Sequence, residues 1–147
     1  TAESIQAEGS VNSIEFAVRA AAAHQKALGA SLPLYYYSFN ADIPGWDNPG
    51  TFHSVDLWFF FETLAKCWRP FKGRHYDLAR QMCDYWCSFI KTGDPNSAGS
   101  DGEPLPWWPA FDPAQPVRMD FGQTAAAQRC PASPLVQFLL DRYLKTL

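Results

Sequence analysis

One of the three histidines in this 147-residue sequence, His53, combines a useful chemistry with a suitable place in the chain. A histidine side chain in general changes its charge near neutral pH, so this residue type can accept a proton and return it within one reaction. The turn signal Pro49-Gly50 precedes it, and an acidic residue, Asp56, follows it at the start of an apolar run. A lone histidine is more often structural or exposed, so the surroundings of His53 must decide whether it has a catalytic role.

A strand and a loop are expected to bring His53 to the edge of a sheet. Residues 32–39 are apolar and aromatic without polar alternation, which is typical of an inner strand of a parallel sheet. The loop 41–51 follows and contains two Pro-Gly pairs that allow tight turns. Ligands of open α/β sheets bind beyond the carboxyl ends of the strands, where this loop would hold the imidazole. Ser54 is predicted to cap the next helix, with Asp56 in its first turn.

Helices make up most of the remaining sequence. Residues 1–10 show no period and are expected to form a loose leading segment before the structured part, residues 11–147. Asn12 is predicted to cap the first helix and Gly29 to end it. Further predictions are a helix over 74–91, a short edge strand over 117–121 and a last helix from Ser133 and Pro134. The faces expected to be buried carry Leu57, Phe60, Phe61 and Leu64 on the helix after His53, and Leu78, Met82, Tyr85, Trp86, Phe89 and Ile90 on the next helix.

Two segments resemble the C-terminal end of type-B carboxylesterases, the cholinesterase and para-nitrobenzyl esterase family. Residues 50–57 read Gly-x-x-His-x-x-Asp-Leu, and residues 85–96 read Tyr-Trp-x-x-Phe-x-Lys-Thr-Gly-Asp-Pro-Asn. The likeness runs from about Val11 to the C-terminus. It implies the C-terminal part of an α/β-hydrolase fold that is mostly helical, with one inner strand and one short edge strand.

The resemblance implies a serine esterase with a Ser, Glu/Asp and His triad, in which His53 is the general acid and base. The sequence has no Gly-x-Ser-x-Gly motif, and in this fold the serine and the acid precede the histidine. An upstream esterase segment is therefore expected to supply the serine and the Glu or Asp. The chain alone is expected to be inactive on a small-molecule ester, because each missing component costs about a hundredfold or more in rate.

Three neighbours of His53 are further candidates for the site. Asp56 matches an acidic position of the family motif that supports the site through hydrogen bonds, although the helix dipole explains a carboxylate there equally well. Trp46 and Phe52 border the histidine and are candidates for the wall of a substrate pocket. The other histidines, His24 and His75, are expected to be solvated.

Two alternatives to an esterase remain open from the sequence. One is a non-catalytic, cholinesterase-like interaction module that keeps the fold without the triad. The other is a domain fragment without activity of its own. The histidine in the motif favours the esterase, but one residue does not decide between the three.

Composition excludes several other classes of function. The net charge of −3 and the absence of a Lys/Arg run argue against nucleic-acid and anionic-membrane partners. No apolar stretch approaches the roughly 20 residues that cross a bilayer. The four cysteines do not form a zinc-finger pattern, so we expect no metal, no cofactor, buried free thiols and a reducing, cytoplasmic location. These cysteines are Cys67, Cys83, Cys87 and Cys130.

Overall fold

The computed structural model describes residues 2–30 and 32–146, with side chains from residue 13 onward. The helices are α1 (Ala2–Ala27), α2 (Asp56–Phe60), α3 (Gly73–Thr92) and α4 (Pro134–Leu144), and a short 3-10 helix covers Leu64–Lys66. The strands are β1 (Tyr37–Phe39), β2 (Val117–Phe121) and β3 (Ala125–Arg129). The chain forms two compact units, one with α1, α4 and residues 110–117, the other with residues 37–109 and 118–128.

The three strands form one sheet in the order β1-β2-β3. β1 and β2 are parallel, with Tyr37 opposite Met119 and Phe39 opposite Phe121. The predicted inner strand is shorter than expected and lies at an edge, whereas the predicted edge strand, β2, lies in the middle. β3 was not predicted, because its sequence Ala-Ala-Ala-Gln-Arg favours a helix and only pairing beside β2 makes it a strand.

The first unit is built on the packing of α1 against α4. Ala20 of α1 clusters with Val136 and Leu140 of α4, and the rings of Phe16 and Tyr143 meet edge to face at 5.9 Å. The loose leading segment predicted for residues 1–10 is wrong for residues 2–10, which belong to α1. Alanine, glutamate and glutamine favour the helix there even without an apolar period, so α1 begins well before the cap predicted at residue 12.

The second unit has α3 as its longest element, close to the predicted helix over 74–91. Gly93 ends it in a left-handed conformation, φ +78°, which glycine adopts without strain. Leu78, Met82 and Tyr85 are buried as expected. The predicted burial is wrong for Phe89 and Ile90 in the last turn, which are 42% and 74% exposed.

α2 is shorter than the sequence suggested, and its buried side differs. It has five residues, and Glu62 then turns the chain with φ +48°. Phe59 and Phe60 are buried, whereas Leu57 is 45% exposed and Phe61 is 67% exposed. The predicted burial is therefore correct for Phe60 and Leu64 and wrong for Leu57 and Phe61, because the helix stops before the extrapolated period is complete.

His75 is buried, 4% exposed, and the prediction that it is solvated is wrong. Its Nδ1 accepts a hydrogen bond from the Lys72 backbone N–H at 2.9 Å, and its Nε2 lies 3.1 Å from the carbonyl oxygen of Asp42. The imidazole thus satisfies a backbone donor at the start of α3 that the helix leaves unpaired. His24 is exposed, as expected.

The four cysteines are free thiols, as predicted, but only Cys130 is buried. Cys67 and Cys83 are half-buried, and Cys87 is exposed on α3, with its sulfur 4.0 Å from that of Cys83. Among the helices that the structure describes, none combines the length and the apolar character needed to cross a membrane.

Candidate active site

A loop that begins directly after β1 carries His53. Ala41 and Ile43, each 2% exposed, anchor the start of this loop in the core of the second unit. Near its end, the Thr51 hydroxyl lies 3.4 Å from the carbonyl oxygen of Ala41, and Gly50 takes φ +60°. The loop therefore leaves the carboxyl end of a parallel strand and closes on itself before His53, as the sequence predicts for a ligand-facing position.

The His53 side chain is exposed in a turn immediately before α2. Its Nδ1 lies 2.6 Å from the hydroxyl oxygen of Ser54. Ser54 does not cap α2 as predicted: it takes a left-handed backbone conformation, φ +66°, and Val55 is the N-cap residue. The hydroxyl is thus used to orient the imidazole through Nδ1.

Asp56, the first residue of α2, accepts a hydrogen bond from the Tyr37 hydroxyl of β1 at 3.0 Å. Burial, and then the charge and the hydrogen bond of Asp56, raise the pKa of Tyr37 above its ordinary range, so the phenol remains a donor. The bond joins the strand before the loop to the helix after it. Sequence reasoning missed Tyr37, although its place in the strand ahead of the histidine was the available signal.

The two aromatic pocket candidates differ in their surroundings. Phe52 packs edge to face against Trp58 at 5.9 Å and lies 5.8 Å below the guanidinium carbon of Arg69. Trp46 is 90% exposed. Of the pair, Phe52 is the one held in a defined position beside His53.

A small cavity of the second unit lies at His75 rather than at His53. Asp42, Arg74 and Gln123 contribute to its lining, together with the aliphatic part of Leu78. It has room for about one water molecule, so it is too small for an ester substrate. Groups of three or more His, Cys, Asp or Glu side chains that could hold a metal ion do not occur in the described part of the chain.

The described residues alone form an incomplete hydrolytic site. An acyl-transfer triad needs a carboxylate at one ring nitrogen and a nucleophilic hydroxyl at the other. At His53 the Nδ1 position is occupied by Ser54. What the chain provides is an oriented, exposed imidazole in the turn that ends the loop after β1.

Residues 3–138 match the model of a protein family described as the carboxylesterase family. The bovine protein Carboxylesterase 4A (Bos taurus) is 32% identical over 92 residues, which cover 56% of this chain and 15% of that protein. A solved esterase from Clostridium hathewayi, described as hydrolysing aliphatic aromatic polyesters, is 25% identical with a TM-score of 0.59. It covers 82% of this chain and 22% of its own.

A solved PNB esterase shares the fold at 23% identity and a TM-score of 0.55, covering 73% of this chain and 21% of its own. These matches confirm the predicted family resemblance and the α/β-hydrolase fold class. The chain spans only about a fifth or less of the length of these three relatives. The activity of a whole protein is therefore a separate question from the family of this part.

Proposed function

The chain belongs to the carboxylesterase family, and we propose that it supplies the histidine of a serine esterase, with His53 as the general acid and base. The observation that carries this proposal is the exposed His53 ring, oriented by Ser54 in the turn that ends the loop following the parallel strand β1. A buried imidazole could not meet a nucleophile from another segment. An exposed but unoriented one would be a weak base.

In the proposed reaction, a serine outside the described residues attacks the carbonyl carbon of a small-molecule ester. His53 Nε2 takes the serine proton and then gives it to the leaving alcohol, and water repeats the cycle to release the acid. This requires the proton of the neutral ring to sit on Nδ1. Ser54 Oγ, at 2.6 Å, can accept that hydrogen bond until a Glu or Asp of the upstream segment takes its place.

We assign supporting roles to three residues around His53. The Asp56 carboxylate, held by Tyr37, fixes the start of α2 three residues after the histidine. Phe52 forms a wall of the substrate pocket beside the imidazole. Trp46, 90% exposed, forms a second wall when the upstream segment covers it.

The upstream segment also brings the oxyanion donors and further strands. Its docking surface includes the apolar side chains that the described chain leaves open, such as Phe61 and Ile90. Free thiols at all four cysteines support a reducing compartment such as the cytoplasm.

The test is hydrolysis of a p-nitrophenyl ester by the chain joined to its upstream segment. His53→Ala should lower kcat by roughly 10³-fold or more, because the serine then has no proton acceptor. His24→Ala, at an exposed histidine outside the loop, is the matched control and should leave kcat unchanged. Activity that survives His53→Ala would refute the catalytic role.

The same assay separates the alternatives. A joined protein that folds and binds its upstream segment but hydrolyses no ester would be an interaction module. A chain that hydrolyses the ester without that segment would contradict the need for a serine from elsewhere.

A further inference from the structure

We propose that Arg69 is a positioning residue for the histidine loop, which we define as residues 44–53. This inference rests on the proposed role of His53, and it concerns a residue 16 positions later in the sequence. Arg69 lies beyond α2, so the loop and the segment after the helix are tied together from both sides of His53.

The Arg69 guanidinium donates three hydrogen bonds to the histidine loop. Nη1 donates to Asp47 Oδ1 at 3.0 Å, and Nη2 donates to Asp47 Oδ2 at 2.8 Å. Nη1 also donates to the carbonyl oxygen of Pro44 at 3.1 Å. This two-pronged geometry fixes direction as well as distance, which a single ion pair does not.

The same guanidinium also contacts two aromatic rings. Its central carbon lies 4.6 Å from the ring centre of Trp68 and 5.8 Å from that of Phe52. The Arg69 side chain is only 8% exposed, although its partners Trp68 and Phe52 remain partly open to solvent. Phe52 directly precedes His53, so the hold on Phe52 limits the movement of the imidazole.

The loop sequence makes room for this arrangement at Gly45. A Cβ placed there would overlap both Arg69 Nη1 and Asp47 Oδ1. The backbone of Gly45 is not in the left-handed region, so the glycine serves close approach rather than an unusual turn. A loop residue without a side chain is thus placed where the fork of Arg69 meets Asp47.

Arg69 is not a second anion site for substrate. Its donors face Asp47 and Pro44, and its charge is matched by the Asp47 carboxylate. Lysine would retain the charge but has neither the fork nor the planar surface that stacks on the rings. Replacing Arg69 by lysine should therefore weaken the attachment of the histidine loop, although the charge is retained.

The first arm of the test measures amide hydrogen exchange in the chain with Arg69→Lys, Arg69→Ala and Gly45→Ala. Exchange of residues 52–55 should become roughly three- to tenfold faster in each variant, while exchange within α3 stays unchanged. Gly73→Ala is the matched control, because a Cβ at Gly73 meets no atom within 4 Å. If Arg69→Ala also speeds amide exchange within α3, the milder variants Gly45→Ala and Arg69→Lys decide whether Arg69 holds the loop. Unchanged exchange at 52–55 in both would overturn the proposal.

The second arm uses the esterase joined to its upstream segment. Arg69→Lys should lower kcat by roughly tenfold or more with KM little changed, because a misplaced base affects proton transfer more than substrate binding. If the joined esterase is active and its kcat is unaffected by Arg69→Lys, the positioning role of Arg69 is overturned, whereas the proposed esterase function stands. An inactive parent protein would instead refute the proposed function, and the exchange arm would still decide whether Arg69 holds the loop.

Discussion

Ser54 is the residue at which local geometry and chemistry are most closely linked. Its left-handed backbone, φ +66°, is unfavourable for any residue with a Cβ, yet it turns the hydroxyl toward His53 Nδ1. Strain of this kind persists where the surrounding structure imposes it, commonly at functional sites. The hydroxyl that the sequence assigned to a helix cap therefore serves the imidazole.

We expect two substitutions at Ser54 to separate strain from hydrogen bonding. Ser54→Gly removes the Cβ from a left-handed position and should raise the free energy of unfolding by up to about 1 kcal/mol. Ser54→Ala keeps the strain and should not raise it. Both lose the partner of Nδ1, so both should increase the rotational freedom of the His53 ring in NMR relaxation. A Ser54→Gly substitution that fails to stabilise the fold would show that the conformation is not strained.

At the scale of elements, the start of α3 is stabilised by the side chain of His75, which contacts backbone groups of earlier residues. The His75 ring accepts from the Lys72 N–H and faces the Asp42 carbonyl. Only the neutral tautomer with its proton on Nε2 satisfies both partners. The ring therefore joins the helix to the first residues of the loop that leads to His53.

Replacing His75 should destabilise this junction. His75→Ala leaves two backbone groups without their partner and should lower the free energy of unfolding by about 1–3 kcal/mol. His75→Gln can still accept from the Lys72 N–H, as glutamine does in a capping box, and should lose less. Urea unfolding measures both, and long-range ¹⁵N NMR should report the Nε2–H tautomer. An Nδ1–H tautomer would contradict this hydrogen-bond assignment.

The Asp47–Arg69 pair should make the loop sensitive to acid. The hydrogen bond from Arg69 lowers the pKa of Asp47 below its ordinary value of 3.8. A carboxylate with a lowered folded-state pKa stabilises the fold above its unfolded-state pKa, and this contribution is lost as the pH falls through the folded-state value. The stability advantage of the wild type over Asp47→Asn should therefore be largest above the ordinary pKa of 3.8 and shrink as the pH falls below it. Urea unfolding at several pH values measures it, and an advantage that is independent of pH would contradict the pairing.

Elements that are determined by their own sequence were predicted well, whereas elements that depend on a distant part of the chain were not. α3 has a strong apolar stripe and a glycine stop, so its bounds were predicted to within one residue at each end. β3 depends on a neighbouring strand, and its alanines gave the opposite signal. At the site, the exposure of His53 and its place after a parallel strand followed from the sequence. The hydrogen bond between His53 and Ser54 and the hydrogen bonds from Arg69 to the loop could not be predicted. Both depend on loop geometry, which a hydrophobic period in the sequence does not reveal.

At the scale of the molecule, the described chain exposes several large apolar side chains. Ile90 is 74% exposed and Phe61 is 67% exposed, whereas Phe60 beside it is 5% exposed and stacks on Trp86 at 4.2 Å. Single exposed apolar residues are common, but Phe61 directly follows α2 and Ile90 lies in the last turns of α3, and these are the next two α-helices after His53. Their exposure supports a covering segment from the same esterase.

Substitutions at Ile90 and Phe60 should therefore behave differently. In the chain alone, Ile90→Gln should change the free energy of unfolding by less than about 0.5 kcal/mol, because the side chain is already solvated. Phe60→Ala should cost about 3–5 kcal/mol. With the upstream segment present, Ile90→Gln should weaken association, measured by titration of one segment with the other. If Ile90→Gln leaves the association unaltered, Ile90 is not part of the docking surface for the upstream segment.

Among the described residues, β1 pairs with a neighbouring strand on one side only. The backbone N–H and C=O groups of a strand edge can template pairing with another chain. The isolated chain is therefore expected to self-associate through β1 more readily than an esterase in which a further strand covers that edge.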